Sequence, residues 1–457
     1  GGGGGGGRVG SHRVFDVLRG DGIKAAAARS SAWTVAAMFW TRGLRVVSNL
    51  ILAHLLFPEA FGVMALMATV MSGLTMFSDV GIKPNLIRSH RGEDRTFRDT
   101  AFTLQFIRGL VLWAIATGLA WPLAHGFGHP DIALMLPVVG LTAVLQGLTP
   151  TKVALANRKL SLGRVTLIEM AGPTMVLVAT VPLAAWLRSP WALVLGGVIA
   201  SATVRTLQRR LLPGENDRFA LDRECVRDQV RFGRWIFVST AMTFLADQVD
   251  KFIFPAMFSM AAFGNYSIAV GLVMMITSLI KGLSMRVMLP VYADAARRDD
   301  RDLVSRRALA YQRRVGLPAV LLCAGLIALG GPLVDLLYPD TFDLAHGLLP
   351  VLALAGAFDV LRARFASLFG AFAKNGYGAV VSAVNLAVTA TFCPLLGWAW
   401  GPLGFAAGMV LAAAAAYLLQ QWYIARRLGI RRAGDAGPLC IILAATAVAA
   451  AAAEFLP

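Results

Sequence analysis

The stretch Gln208–Arg231 reads QRRLLPGENDRFALDRECVRDQVR, and it decides how the rest of the chain is divided. It is polar and carries Arg209, Arg210, Arg218, Arg223, Arg227 and Arg231. On either side the sequence turns apolar for as long as a helix needs to cross a bilayer, about 20 residues. Six such runs precede it, at 33–56, 62–87, 100–124, 132–156, 165–187 and 191–207. Six follow, at 232–256, 263–290, 315–337, 346–372, 377–397 and 403–425, and an alanine-rich run at 437–456 is a candidate thirteenth.

Composition points the same way. The chain of 457 residues is 57% hydrophobic and only 15% charged, well below the quarter typical of soluble domains. Transmembrane strands would alternate apolar and polar residues, whereas these runs are continuously apolar, so they read as helices. The excess of 43 Lys and Arg over 26 Asp and Glu sits in short islands between the runs, and nucleic acid is not expected as a partner.

The islands set the orientation. Loops 57–61, 125–131, 188–190, 257–262, 338–345 and 398–402 hold a single basic residue, Arg188. The opposite loops hold the arginine clusters of 208–231 and 292–314, and the positive-inside rule places these in the cytoplasm with the N-terminus. A wrong span count would invert every later loop, so the alternation supports twelve spans. The expected fold is an all-α integral membrane protein of two parallel six-helix bundles. Residues 1–32 form a cytoplasmic tail, 33–207 and 232–425 the bundles, 208–231 the linker, and 426–457 a basic segment with the extra helix. An echo supports the repeat: Ala60-Phe61-Gly62 opens the second run and Ala262-Phe263-Gly264 the eighth. An even number of spans per half gives parallel repeats, which enclose a cavity and rock to give alternating access.

The Gly1–Gly7 run lacks the apolar stretch of a signal peptide and is set aside. No cleavable targeting segment is read, so the first apolar helix is expected to direct insertion. Cys225, Cys323, Cys393 and Cys440 are widely spaced, and no metal, catalytic or nucleotide-binding motif occurs. No metal or cofactor is expected, and outward loops under ten residues leave no room for a catalytic domain.

Ionisable residues inside membrane spans are expensive and mark function. Arg42 and Arg45 lie mid-span with Asn49, all on one helix face, as a cationic patch for an anionic substrate or as ion-pair partners. The seventh run carries Asp247, Asp250 and Lys251. Asp247 and Lys251 are spaced to neutralise each other. Asp250 is left to pair with Arg42 or Arg45 or to bind a coupling proton or cation. Lys281 adds a further cation, while Asp359 and Arg362 are spaced to pair. Arg108, Lys152, Arg205 and Arg234 lie near cytoplasmic ends and read as snorkelling side chains. Glu169 beside Gly172-Pro173 marks a kink.

A resemblance emerges from several segments together. Asn49–Ala65 (NLILAHLLFPEAFGVMA) resembles the "ARLL-P-E-FG-A" first loop of polysaccharide flippases, and Phe77–Ile82 (FSDVGI) their "FSDLGL" helix end. Arg231-Phe232-Gly233, the aspartate at Asp250, Phe263–Ala269 (FGNYSIA) and Leu289-Pro290-Val291-Tyr292 are similar to further family positions. His54 and Phe263 depart from the family's arginine and leucine. The resemblance, diffuse over residues 30–425, is to the polysaccharide flippase branch of the multidrug/oligosaccharidyl-lipid/polysaccharide (MOP) exporter superfamily. It implies a multi-pass inner-membrane flippase of polyprenyl-diphosphate-linked oligosaccharide units, not an enzyme. Membrane lipids, the lipid-linked oligosaccharide and polysaccharide polymerase machinery are its implied partners. In that reading Arg42, Arg45 and Lys281, with Asn49 and Lys251, hold the diphosphate, and Asp247 and Asp250 tune or couple. Its rivals are an ion-coupled multidrug or small-solute antiporter of the same architecture and a membrane-embedded polymerase or ligase.

Overall fold

A computed structural model describes residues 23–78, 82–158, 162–227, 244–298, 300–365, 367–372, 374–430 and 436–455. Gly1–Gly7, Asp79–Gly81 of the family-like helix end, Arg231-Phe232-Gly233, Arg234 and the first part of the expected 232–256 run lie outside the described residues.

Among the described residues the structure is helical and contains no strand, as a bilayer demands of segments that must satisfy their backbone internally. In chain order the helices are α1 (Ile23–Leu55), α2 (Pro58–Phe77), α3 (Ile82–Arg88), α4 (Arg95–Gly126), α5 (Asp131–Gly147), α6 (Lys152–Arg158), α7 (Leu162–Leu187) and α8 (Trp191–Leu211). They continue as α9 (Asp250–Met257), α10 (Met260–Arg298), α11 (Arg301–Tyr311), α12 (Leu317–Leu337), α13 (Asp343–Ala363), α14 (Leu368–Ala371), α15 (Asn375–Arg426) and α16 (Ala436–Phe455).

Eight of the described helices are long and apolar enough to cross a membrane, or nine when α5 and α6, bent by 56° across Leu148–Thr151, count as one broken span. Pro150 sits in that break and cannot continue the hydrogen-bond ladder of α5. α1, with Arg42 and Arg45 along it, falls outside this set. α15 is two helices in one: Trp400 and Gly401 leave helical geometry, and Gly401 adopts φ +67°, a left-handed conformation that glycine enters without steric cost. Its 52 residues would otherwise form a rod of about 78 Å at 1.5 Å per residue, more than twice the ~30 Å hydrocarbon core. Trp398 and Trp400 beside the break are largely exposed, as suits aromatic side chains at a membrane interface.

The chain groups into two compact units. The first comprises Gly1–Leu52 and Val70–Thr240, and the second Ala53–Thr69 and Ala241–Pro457. The grouping follows the basic linker for most of the chain, but the start of α2 joins the second unit. The Ala-Phe-Gly echo explains that exchange. A Cβ on Gly62 would collide with the Met260 carbonyl, and one on Gly264 with the Pro58 carbonyl, so α2 and α10 cross at backbone contact where the two triplets meet. Only residues without a side chain permit such an approach.

In the first unit the described part of the linker is a strap. Residues 212–222 run without helix across α4, where the Arg218 N–H donates to Asp99 Oδ1 (3.0 Å), the Ala220 N–H to Thr103 Oγ1 (3.0 Å) and the Asp222 N–H to Thr100 Oγ1 (3.2 Å). Phe219 closes against Phe102 and Phe106. Asp217 accepts from the Thr151 N–H at the start of α6, and Lys152 donates to the carbonyls of Arg209 and Leu212 at the end of α8 and to Asn216 Oδ1. Each charge thus meets the helix end whose dipole it complements. Lys152 is buried and consumed by this capping, not extended towards water as its position near a helix end suggested.

Candidate functional site

Each unit contains a cavity lined by ionisable side chains. In the second unit, Asp247, Asp250, Lys251, Lys281 and Asp359 converge on a cavity of about 270 Å³, together with Asn385 and Thr389 of α15. Four of the sequence-predicted residues are therefore brought together. Arg42, Arg45 and Asn49 are not among the cavity's lining residues; they lie on α1 in the first unit, with Arg42 and Asn49 half-buried and Arg45 exposed.

Asp250, at 5% exposure, opens α9 and accepts a 2.7 Å hydrogen bond from the Tyr266 hydroxyl of α10. Tyr266 is fully buried in a cluster with Phe254, Phe263 and Phe405, so its hydroxyl has one fixed direction in which to donate. The partner of Asp250 is thus a tyrosine 16 residues onward, neither of the α1 arginines. Lys251 donates to Gln248 Oε1, and the expected Asp247–Lys251 pair does not form. Asp247 is exposed and engaged by no hydrogen bond or ion pair among the described residues.

Asp359 is held on both sides. Arg362 Nη1 meets Oδ1 at 3.1 Å, the pairing that spacing predicted, and Lys281 Nζ approaches Oδ2 at 3.4 Å. The Lys281–Asp359 pair belongs also to a neighbouring cavity of about 270 Å³ that includes Arg362, Ser382 and Gln420. Three carboxylates face two ammonium groups in the first of these cavities, which leaves it one net negative charge and an open carboxylate at Asp247. Such a lining accepts a cation or proton, and it holds Lys281 where an anion would have to compete with Asp359.

The first unit's cavity is larger, about 480 Å³, and of the opposite sign. Arg108 and Arg205 line it with Glu169, Gln105, Gln146 and Gln208. Arg108 donates through Nε to Ser78 Oγ (2.8 Å) and through Nη2 to the Thr75 carbonyl (2.6 Å), which fixes its guanidinium plane. Arg205 Nη1 donates to Gln208 Oε1 at 2.6 Å. Both arginines were read as snorkelling side chains; the structure turns them into the unit's interior. The one sequence signal was that they, Glu169, Gln105 and Gln146 occupy apolar runs, but nothing in their spacing joins them. Gly109 and Gly147 create the space's floor by letting α4 and α5 meet at backbone contact.

The family described as "Polysaccharide biosynthesis protein" matches residues 51–345. The succinoglycan biosynthesis transport protein ExoT of Rhizobium meliloti (strain 1021) is 26% identical over 335 residues, covering 72% of this chain; the chain spans 65% of that relative's length. Among solved structures, the lipid II flippase MurJ in an inward closed conformation is similar with a TM-score of 0.68 at 12% identity, over 93% of this chain and 98% of that one. An inward-facing multidrug resistance MATE family transporter of the MOP superfamily gives 0.64 at 14% identity, over 91% and 98%. The all-α, multi-pass fold read from the sequence is therefore the fold of MOP transporters.

Proposed function

Because the chain belongs to the polysaccharide biosynthesis protein family, we propose that it is a flippase that moves polyprenyl-diphosphate-linked oligosaccharide units across the inner membrane by alternating access. Twelve spans, a cytoplasmic N-terminus and two six-helix bundles joined at 208–231 complete this reading. The family match carries it, and the charge-lined cavity in each unit supports it, because a carrier of a charged headgroup needs polar surface at membrane depth.

Arg42 and Arg45, on one face of α1 with Asn49, present guanidinium forks whose planar donors fit phosphate oxygens. Lys281 and Lys251 offer ammonium groups for the same kind of anion. Asp247, open to the cavity, and Asp250, oriented by Tyr266, couple transport to a cation or proton. Membrane lipids bathe the helices, the lipid-linked oligosaccharide is the cargo, and polysaccharide polymerase machinery receives it.

A strain lacking the protein should lose exported polysaccharide and accumulate lipid-linked repeat units. The Arg42→Ala, Arg45→Ala double variant should reach the membrane yet fail to restore export; full export by that variant would remove the α1 arginines from the mechanism. The second reading, an ion-coupled antiporter of drugs or small solutes, is favoured by the acid-rich cavity of the second unit. It requires efflux of cationic compounds driven by an ion gradient, with no build-up of lipid-linked saccharide in the deletion strain.

A further inference from the structure

None of the residues given a role in the scheme above lines the first unit's cavity, whose chemistry is specific. Two guanidinium groups, Arg108 and Arg205, face one carboxylate, Glu169, so the lining carries a single net positive charge. Glu169 is close enough to Arg205 to act on it electrostatically, but the two form no ion pair among the described residues. Each therefore keeps capacity for a guest. Arg205 Nε is buried and has no hydrogen-bond partner. Gln105, Gln146 and Gln208 add three carboxamides, each with an acceptor oxygen and a two-proton donor.

That inventory selects a guest. One net positive charge matches a monoanion, whereas a diphosphate would bring surplus negative charge against Glu169. An arginine fork takes a carboxylate through two parallel hydrogen bonds. Amide donors and acceptors, together with a carboxylate acceptor, match the neighbouring hydroxyls of a sugar ring. We propose that this cavity binds an acidic sugar, one bearing a single carboxylate, within the saccharide that the protein moves. The proposal rests on the flippase reading and narrows its substrate to acidic oligosaccharides. The first unit's cavity would then read the sugar of that substrate.

The test uses the full chain purified in detergent and titrated by calorimetry with glucuronate, glucose and glucose 6-phosphate. Glucuronate should bind about 10-fold tighter than glucose, the selectivity that ~1.4 kcal/mol supplies. Arg205→Gln should abolish that preference. Glu169→Gln raises the lining to two positive charges and should shift preference about 10-fold towards the dianionic glucose 6-phosphate, equivalent to ~1.4 kcal/mol. This second variant keeps the test decisive if Arg205→Gln does not fold. Equal binding of glucuronate and glucose by the unmodified protein would overturn the proposal, as would a preference that survives Arg205→Gln. So would loss of glucuronate binding in phosphatidylglycerol nanodiscs with its retention in phosphatidylcholine nanodiscs, which would assign the cavity to a lipid headgroup. Acid-selective binding in a protein whose deletion strain accumulates no lipid-linked saccharide would sink the flippase reading and leave the site standing.

Discussion

Each of the two units lines a cavity with ionisable side chains, and the two linings carry opposite signs. In the first, two arginines outnumber one glutamate and amides fill the remaining wall. In the second, three aspartates outnumber two lysines, and a tyrosine orients the most buried of them. The difference between the two linings lies in a handful of ionisable side chains. In the flippase scheme proposed above, the first lining would meet an anionic guest and the second a coupling ion.

The largest effect should come from removing that difference. The Asp247→Asn, Asp250→Asn double variant turns the second unit's cavity from one net negative to one net positive charge, like the first. Export should fall by about 100-fold or more, equivalent to ~2.7 kcal/mol, and any accompanying ion flux should disappear; a polysaccharide assay with parallel proton and sodium flux measurements in proteoliposomes reads both. Retained export with retained flux would break the contrast between the units. Next, Asp250→Ala leaves the Tyr266 hydroxyl buried without an acceptor and should lower stability by about 2 kcal/mol, read as a drop in melting temperature in detergent. Tyr266→Phe, which deletes the donor instead, should cost less.

The first unit should respond more mildly to loss of a single strap contact. Thr103→Val removes the acceptor for the Ala220 N–H, and a loss of about 1 kcal/mol should appear as faster protease cleavage within 212–222. The smallest effect concerns Cys225, which follows the strap, is buried among Ile82, Leu86, Phe97, Ala101 and Ala154, and lies beside Asp222, whose Oδ1 accepts from the Cys225 N–H. Burial, with Asp222 alongside, pushes its thiol up to about 11. Because the thiolate is the reactive form, maleimide labelling should be slow at pH 8 and keep rising as pH climbs towards 11, rather than levelling off near 9. Fast labelling at pH 8 would indicate that the strap opens.

The contrast between units also explains what the sequence revealed. Continuous apolar runs and the alternation of basic with base-free loops gave the helical, multi-pass fold, because length and charge are properties of the chain itself. The Ala-Phe-Gly echo was legible for the same reason, and the structure adds that its two copies touch. Asp359 and Arg362 were legible because three residues on a helix make neighbours. Lys281, 78 residues away, completes that pair through tertiary packing, and no periodicity announces it. Asp250 and Tyr266 belong to successive helices, and Arg108, Glu169 and Arg205 to three different ones, so position near a helix end suggested water where packing supplied a cavity. The bend at Leu148–Thr151 was half visible in Pro150, but the break at Trp400–Gly401 fell in a loop too short to signal its geometry.

The membership of Ala53–Thr69 in the second unit has a consequence for how the protein is made. Translation delivers the start of α2 early, yet the backbone against which Gly62 packs is about 200 residues downstream at Met260–Gly264. At 5–20 residues per second that partner emerges roughly 10–40 s later. The strap keeps no such appointment: Asp99, Thr100 and Thr103 have long been synthesised when residues 218–222 leave the ribosome. The first unit can thus be fastened while the second is still unwritten, and the beginning of α2 must be sheltered, by lipid or by the insertion machinery, until its counterpart arrives. A nascent chain stalled just before Met260 should expose the Gly62 face to crosslinking, and one stalled well beyond Gly264 should hide it.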